Sequence, residues 1–187
     1  MIPIKNKKKN LEATVEEMRN FSVSYLEKYS PSKQQLKTYL LKKYLKSSNT
    51  KNKKQDLIEL IDIVLKDLEE SKFISDKFYS EMKAKNLIQR GSSINKIRNY
   101  LIAKGINNKY IKETINNITD NNENQDFFSA IKICKKKRIG PSRPDDNWPL
   151  FYKKDISILA RNGFDFETSK KVMDLDKDEY LKIINLL

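Results

Sequence analysis

The chain has 187 residues and carries 38 Lys and Arg against 25 Asp and Glu, which gives a formal net charge of +13 at pH 7. Its mean hydropathy is −0.73, and no apolar run approaches the roughly 20 residues that cross a bilayer, so a membrane protein is not expected. The chain has no histidine, the commonest general base, and only one cysteine, so neither catalysis nor a cysteine-rich zinc site is expected.

The positive charge favours a polyanionic partner such as nucleic acid or a nucleoprotein surface. A genome biased toward Lys, Asn and Ile codons would raise the lysine content without any such partner, and this alternative stays open. The basic start of the chain, 1–10, is not followed by an apolar signal segment, and the lone Cys134 cannot form an internal disulfide. We therefore expect a basic flexible tail at 1–10 and a cytoplasmic protein.

The surroundings of the four glycines reveal an internal repeat. Phe-Tyr-Ser begins 13 positions before Gly91, and Phe-Phe-Ser begins 13 positions before Gly140. The stretches LIAKGI around Gly105 and LARNGF around Gly163 both place Leu four residues before the glycine and a large apolar residue after it. Such self-similarity predicts a repeat of about 50–60 residues.

The first repeat is predicted over 11–70. Ser32 and Gln35 have the spacing of a capping box, so a helix should begin there. A polar insertion at 46–56 replaces the glycine turn and predicts a longer, mobile loop. The apolar stripes of the second and third helices are Leu36 and Leu40, then Ile61, Leu65 and Leu68.

The second repeat, 71–120, gives the clearest helix boundaries. Its second helix should begin after Ser93 and end at Gly105, because a residue without Cβ suits a left-handed position after a helix. Ile106 is then placed to close back on Leu101. The apolar stripes are Phe78, Met82 and Leu87, then Ile94, Ile97 and Leu101, then Ile111, Ile115 and Ile118. The other caps are Ser75 or Asp76 for the first helix and Asn107 or Asn108 for the third.

The third repeat, 121–187, contains a Pro-rich loop, GPSRPDDNWP, before its second helix. A final helix should be capped by Asp176, with Glu179 at its third position. The apolar positions are Phe127, Ile131 and Cys134, then Trp148, Tyr152 and Leu159, then Tyr180, Ile184 and Leu187. No stretch of the sequence shows the alternation of polar and apolar residues that predicts a β-strand. The predicted fold is all-α, with three tandem three-helix repeats stacked as an elongated, curved array of right-handed helices.

Three segments resemble the RecX regulatory proteins, which modulate the RecA recombinase. They are SPSKQQLKTYLLKK, FISDKFYSEMKAKNLIQRGSSINKIRNYLIAKGI and ISILARNGFDFETSKKVM. The middle segment is the most specific, because it combines an Asp followed by Phe, an Arg-Gly turn, a basic helix and KGI in that order. The resemblance covers nearly the whole chain beyond the basic tail, although the first repeat lacks the glycine turn of the family pattern.

The resemblance implies a regulator that binds the RecA filament on DNA and limits filament growth, ATP hydrolysis and strand exchange. It places the protein in DNA repair, recombination and the SOS response, and it carries over no catalytic residue and no cofactor. The implied partner is the RecA filament, with single-stranded or duplex DNA reached through the filament. We expect a monomer with no membrane contact.

Three groups of cations are candidates for contact with the filament or with DNA. They flank the Gly91 turn and the helix after it, end the first helix of the third repeat, and follow the Pro-rich loop. The residues are Arg90, Lys96, Arg98 and Lys104, then Lys135, Lys136, Lys137 and Arg138, then Lys153, Lys154 and Arg161. The alternative for each group is a solvated face, and cations in the last turn of a helix are also favoured by its dipole.

Aromatic rings and carboxylates allow further hypotheses that compete with packing. Trp148 and Tyr152 could stack on bases, but their helical spacing with Leu159 favours the core. The core is favoured in the same way for Phe78, Phe127 and Phe128. Cys134 is expected to be a small buried residue. The acidic clusters lack the spacing of a calcium loop and are interpreted as helix caps; they are Asp145 and Asp146, then Asp174, Asp176, Asp178 and Glu179.

A rival hypothesis is a free-standing DNA-binding protein whose helix pairs act as helix-turn-helix elements. It predicts a sequence preference on duplex DNA without any recombinase. We prefer the regulator, because no single helix concentrates the Asn, Gln and Arg side chains that read base edges.

Overall fold

The computed structural model describes residues 11–47, 54–144 and 148–187. The predicted tail at 1–10, most of the polar insertion at 46–56, and Asp145 and Asp146 lie outside these residues. Within them the regular elements are ten α-helices and one 3-10 turn, without a strand, which confirms the predicted all-α fold. No helix in this part of the chain is both long and apolar enough to cross a membrane.

The helices are numbered in chain order. They are α1 (Val15–Leu26), α2 (Lys33–Ser47), α3 (Lys54–Glu70), α4 (Asp76–Gln89), α5 (Ile94–Ala103), α6 (Asn108–Asn121), α7 (Gln125–Lys137), α8 (Trp148–Arg161), α9 (Phe166–Met173) and α10 (Lys177–Leu186). The 3-10 turn, Gly140–Ser142, lies between α7 and α8. The stretch predicted as the third repeat therefore contains four helices rather than three, because α9 lies between the helix after the Pro-rich loop and the predicted final helix.

Most helix starts are set by capping side chains. Ser32 and Gln35 form the predicted capping box of α2: the backbone N–H of Gln35 donates to Ser32 Oγ at 3.2 Å, and that of Ser32 donates to Gln35 Oε1 at 3.0 Å. Between the two alternatives for α4, Ser75 is the residue that accepts the backbone bond. Asn107 caps α6, and Asp176 caps α10 as predicted. These bonds satisfy N–H groups that a helix start leaves without a partner.

Left-handed residues end several helices. Gly105 has a φ of +73°, and the N–H of Ile106 donates to the carbonyl of Leu101 at 3.1 Å, the backbone bond expected for such a turn. The end of α7 differs from the end of α4, its counterpart in the predicted repeat. Gly91 takes the left-handed position after α4, whereas Arg138, with a φ of +53°, takes it after α7. Gly140 also has a positive φ, +55°, but it starts the 3-10 turn instead.

The chain divides into two compact units, the first ending at Tyr79 and the second beginning at Ser80. Each unit has its own apolar core. In the first unit the core is Met18, Leu36, Leu40, Tyr44, Leu57, Ile61, Val64, Leu65, Leu68 and Ile74. In the second unit it is Ala130, Ile131, Ile133, Cys134, Ile139, Leu159, Phe164, Val172, Met173, Tyr180 and Ile184. The three repeat boundaries and their stacking into a curved array stay predictions.

Two apolar residues predicted to be buried are exposed, and these predictions were wrong. Phe78 is 66% exposed, because the buried face of α4 begins one residue later, at Tyr79, and adjacent side chains of a helix point about 100° apart. Leu187 is 46% exposed, since it lies beyond the last residue of α10. Seven other predicted core positions are only half-buried: Met82, Leu87, Ile94, Ile118, Phe127, Phe128 and Tyr152.

The packing interpretation holds for several other residues. Cys134 is fully buried as predicted, and burial, followed by the nearby Asp155 carboxylate, raises the pKa of its thiol to about 12. Phe127 and Tyr152 pack against the core of the second unit, and the ring of Phe127 meets that of Phe128 edge-on at a centroid distance of 5.6 Å. The Trp148 side chain lies outside the part of the structure that can be described.

A buried ion pair joins α8 to the 3-10 turn. The Asp155 side chain is fully buried and accepts hydrogen bonds from Arg143 Nε at 2.6 Å, from Arg143 Nη2 at 2.9 Å and from the backbone N–H of Gly140 at 2.9 Å. Burial alone would raise the pKa of this carboxyl group, but the bonds from Arg143 and Gly140 and the Arg143 charge outweigh it. The pKa of Asp155 therefore lies below its ordinary value.

The start of α5 is tied to the turn between α8 and α9. Ser93 Oγ accepts a hydrogen bond from the backbone N–H of Lys96 at 3.1 Å and donates to the carbonyl of Asn162 at 2.9 Å. The next residue, Gly163, has a φ of +89°, and a Cβ added there would lie 2.5 Å from Ser93 Oγ. Glycine is therefore required here for two reasons, a left-handed backbone and the absence of space.

We predict that Gly163→Ala destabilises the protein more than Gly105→Ala does. Both replacements place a Cβ on a left-handed residue, at a cost of roughly 1–2 kcal/mol, but Gly105 is exposed whereas Gly163 faces the Ser93 hydroxyl. The clash should add about 1–3 kcal/mol at Gly163. Urea unfolding followed by circular dichroism measures the difference. Equal losses in the two variants would show that the contact with Ser93 relaxes without cost.

A second prediction concerns the buried ion pair. Arg143→Ala should lower the free energy of unfolding at pH 7 by about 3–5 kcal/mol, because it leaves a buried carboxylate without its charged partner. The native pKa of Asp155 is depressed below the ordinary 3.8, so the ionised pair stabilises the protein fully above that value. This contribution disappears as the pH falls from about 5 through the lower native pKa.

Urea unfolding at several pH values tests this, with Asp155→Asn as the variant that cannot ionise. The advantage of the wild type over Asp155→Asn should shrink as the pH falls. Arg90→Ala is the matched control, since this arginine is exposed. An advantage that stays constant from pH 7 to pH 3 would contradict the prediction.

Candidate functional site

Positive charge is concentrated in two stretches of the second half of the chain. Residues 82–112 contain eight Lys and Arg and no Asp or Glu, and residues 127–144 contain six Lys and Arg and no Asp or Glu. The first stretch covers most of α4, all of α5 and the start of α6, and the second covers most of α7 and the turn after it. Two of the three predicted cation groups lie in these stretches.

The structure brings the two stretches into contact at the turn between α4 and α5. A Cβ added at Gly91 would lie 3.0 Å from the carbonyl oxygen of Ser129 and 3.1 Å from Lys132 Cβ, so the turn sits directly on α7. The φ of Gly91 is +79°, a left-handed conformation that also favours glycine. Arg90 precedes this turn and is therefore held close to α7.

The first turn of α5 is fixed by two other parts of the second unit. The backbone N–H of Ile94 donates to Asp126 Oδ1 at 2.7 Å, and Lys96 Nζ donates to Asn162 Oδ1 at 3.2 Å. Burial raises the pKa of Asp126, the bond from Ile94 opposes this rise, and the charge of Asp165 adds to it. Lys96 is thus placed beside the turn that follows α8.

The first cation group lies on this anchored element. Arg90 and Arg98 are exposed, while Lys96 is partly committed to Asn162. Lys104 is half-buried, with its Nζ 5.3 Å from the centre of the Tyr100 ring, a cation–π distance. The first group therefore combines two open arginines with two lysines that also have local contacts.

The second and third groups are exposed on α7 and α8. Lys135, Lys136 and Lys137 occupy the last turn of α7 and Arg138 follows it, so they also meet the negative end of the helix dipole. In the third group Lys153, Lys154 and Arg161 are exposed as well. Lys154 Nζ lies 5.6 Å from the centre of the Phe151 ring, and Arg161 Nε donates to the carbonyl of Ser157 at 3.2 Å.

The contacts therefore link all three predicted groups within the second unit. The packing of Gly91 on α7 brings the first cation group close to the helix that carries the second cation group. The bond from Ser93 to Asn162 links the first group with the end of α8, where Arg161 is the preceding residue. Exposed Arg and Lys side chains on elements held in this way can bind a polyanion, and exposed, strongly hydrated ammonium groups suit phosphate oxygens.

The sequence analysis missed the residues that hold this surface in place. Asn162, Asp126 and Asp155 each bond to a partner at least 15 positions away, and no periodic pattern marks such partners. A weak signal existed for one of them. Asp126 stands in the first turn of α7, as Asp76 stands in the first turn of α4, although the two acids differ by one position in the register of the predicted repeat.

Acidic side chains gather elsewhere in the second unit. A cleft of about 410 Å³ is lined by Glu123, Asn124, Asp126, Phe127, Phe128, Asp165, Glu167, Thr168 and Lys171. Asp165 caps α9 by accepting from the backbone N–H of Thr168 at 2.6 Å, so this carboxylate has a structural role. Among residues 11–47, 54–144 and 148–187, no group of three or more His, Cys, Asp or Glu could hold a metal ion.

Comparison with known proteins identifies similar sequences and a similar structure. A scan against models of protein families gives no match. The regulatory protein RecX of Myxococcus xanthus strain DK1622 is 28% identical to the chain over 164 residues, which are 84% of this chain and 84% of that protein. The regulatory protein RecX of Clostridium perfringens strain SM101 is 26% identical over 148 residues, which are 78% of this chain and 66% of that protein.

A solved structure supports the fold. The crystal structure of a regulatory protein RecX superimposes with a TM-score of 0.63 and 17% sequence identity, and the match covers 86% of this chain and 72% of that one. Sequence similarity to several RecX proteins and structural similarity to another thus agree over most of the chain. The chain is therefore similar to RecX regulatory proteins in sequence and shares the fold of one of them.

Proposed function

We propose that the protein is a non-enzymatic regulator of the RecA recombinase, in the cytoplasm, that binds the RecA–DNA filament and limits filament growth, ATP hydrolysis and strand exchange. The observation that carries the proposal is the similarity to the regulatory protein RecX of M. xanthus over 84% of both chains. A regulator of a RecA filament acts on a polyanionic assembly, and the net charge of +13 suits such a partner.

The three linked cation groups are the proposed contact surface. Most of these side chains lie on α5, α7 and α8, and Arg90, Lys104 and Arg138 lie at the turns next to helix ends. The Gly91 and Ser93 contacts hold these elements together. DNA is reached through the filament in this proposal, and the protein acts as a monomer. The first group is the strongest candidate, because Arg90 and Arg98 are exposed and lie in the stretch of 82–112 that has no acid.

The perturbed titratable groups of the second unit support a role without catalysis. The Cys134 thiol has a pKa of about 12, so almost none of it is ionised at neutral pH, and only the thiolate is a good nucleophile. Asp155 is occupied by Arg143 and the backbone N–H of Gly140. Burial raises the pKa of the Tyr180 hydroxyl. These shifts accompany packing and ion pairing, and ATP turnover in the complex is assigned to the recombinase.

A helix-turn-helix protein remains the second candidate because α5 and α6 pack on each other across the short turn at Gly105. In that case α6 would be the helix that enters the major groove. The two candidates differ in whether a recombinase is needed and in whether duplex sequence matters.

We predict that the protein, added in substoichiometric amounts to RecA assembled on single-stranded DNA, lowers the rate of ATP hydrolysis. A protein that blocks filament growth affects many subunits at once, so less than one copy per recombinase should suffice. A coupled ATPase assay measures this, and competition among unrelated duplexes without recombinase is the parallel test of the helix-turn-helix candidate. An unchanged ATPase rate over a wide concentration range would contradict the proposed function.

We also predict that Arg90→Ala combined with Arg98→Ala weakens filament binding and makes it less dependent on salt. Each phosphate contact that is lost should reduce the slope of log affinity against log salt concentration by about 0.7–0.9. The matched control is Lys170→Ala with Lys182→Ala, which removes the same charge from exposed positions outside the three groups. Equal effects of the two double variants would show that net charge alone matters.

A further inference from the structure

A row of aromatic rings on the first unit is not used by the proposed function. The rings of Tyr29 and Tyr25 have centroids 4.8 Å apart, those of Tyr25 and Tyr39 are stacked at 4.3 Å, and those of Tyr39 and Phe21 are stacked at 6.0 Å. The four rings therefore follow one another in the order Tyr29, Tyr25, Tyr39, Phe21. We call this row the aromatic ladder.

The helical geometry of α1 and α2 builds the ladder. Phe21 and Tyr25 are one turn apart on α1, and the backbone N–H of Tyr29 donates to the carbonyl of Tyr25 at 3.0 Å, which keeps the spacing beyond the end of the helix. Tyr39 reaches the row from α2. Burial, followed by the neighbouring phenols of Tyr39 and Tyr29, raises the pKa of Tyr25, as expected for a ring between two others.

The ladder is anchored on one side and open on the other. Phe21 and Tyr25 pack against the core of the first unit. Tyr29 and Tyr39 are 58% and 36% exposed, so they add little to the core. Lys43 Nζ lies 3.3 Å from the centre of the Phe21 ring and occupies that end of the row. Tyr29, whose ring is tilted by 33° from that of Tyr25, is thus the exposed end of the row, against which a further flat ring could pack.

Lysines surround the ladder. On α2, Lys42, Lys43 and Lys46 follow Tyr39 by three, four and seven residues, so they share its side of the helix. Lys28, next to Tyr29, is exposed, as are Lys42 and Lys46. Burial lowers the pKa of Lys43, and the charge of Glu17 raises it by less. Stacked aromatic faces bordered by cations are the features that bind unpaired bases and their phosphates.

We propose that the aromatic ladder is a stacking site for the unpaired bases of a single-stranded nucleic acid. A base stacks on Tyr29 at the end of the row, Tyr39 supports the row from within, and Lys28, Lys42 and Lys46 hold the adjacent phosphates. Paired bases are already stacked on each other, so duplex DNA gains little from these rings. This proposal concerns the first unit alone and does not rest on the filament-binding function.

The test measures binding of the full-length chain, without recombinase, to fluorescent dT20, rU20 and a mixed duplex by anisotropy. Tyr29→Ala should weaken dT20 binding about 5- to 150-fold, the range expected for loss of one stacked base. Tyr39→Ala should weaken it by a smaller factor, because Tyr39 supports the row without stacking on the base. Tyr29→Phe should restore it, because the ring rather than the hydroxyl group is needed. Phe166→Ala, which removes a ring that is 70% exposed on α9, is the matched control and should have no effect.

Two further measurements separate stacking from charge. An abasic strand of the same length should bind the wild type about as weakly as dT20 binds Tyr29→Ala. Added salt should leave the Tyr29→Ala ratio nearly constant, whereas the effect of Lys42→Ala with Lys46→Ala should shrink. The dT20 and rU20 arms distinguish DNA from RNA as the source of the bases. Circular dichroism and thermal unfolding establish that each variant is folded.

The proposal is overturned if folded Tyr29→Ala and Tyr39→Ala variants bind dT20 and rU20 like the wild type, or if they lose as much affinity for the duplex. Wild-type binding of both strands combined with weaker binding to a RecA filament would assign the ladder to a protein partner instead. Because these assays contain no recombinase, their outcome is independent of the ATPase experiment.

Discussion

The hydroxyl group of Ser93 makes the contact on which the candidate surface depends. It accepts a bond from the start of α5 and donates one to the Asn162 carbonyl in the turn after α8. The side chain is fully buried, and a buried polar group that loses its partner costs about 1–3 kcal/mol, so the helix and the turn are held together. Gly163 follows from the same contact, because a Cβ there would occupy the space of this hydroxyl group.

Within each unit, a carboxylate in the first turn of one helix also bonds to the start of another helix. Asp126, from the first turn of α7, accepts from the N–H of Ile94 at the start of α5. In the first unit Asp76, from the first turn of α4, accepts from the N–H of Lys33 at the start of α2 at 2.8 Å. In both cases the acid satisfies an N–H that the helix leaves free and adds a negative charge where the helix dipole favours one. A recurring joint of this kind is consistent with a repeat in the sequence.

This use of acids leaves the positive surface of the second unit largely unneutralised. Asp126, Asp165 and Asp176 accept bonds from backbone N–H groups, and Asp155 is paired inside the fold with Arg143. Asp126 and Asp165 line a cavity together with Arg98 of α5, while the stretches 82–112 and 127–144 themselves contain no acid. The acids that stabilise these helix starts therefore lie outside the two cation-rich stretches. The resulting field suits a polyanionic partner.

The sequence by itself determined the helical class, the capping box of α2, the caps of α5 and α10 and the left-handed turn at Gly105, because these depend on residues within one or two helical turns. It also determined the cation-rich stretches, which are matters of composition. Only the tertiary structure decided that Phe78 is exposed, that Asn162 and Asp126 anchor α5, and that Tyr29, Tyr25, Tyr39 and Phe21 form one row. These features join side chains that are distant in the chain or depend on which of two adjacent residues faces the core, and local spacing carries no information about either.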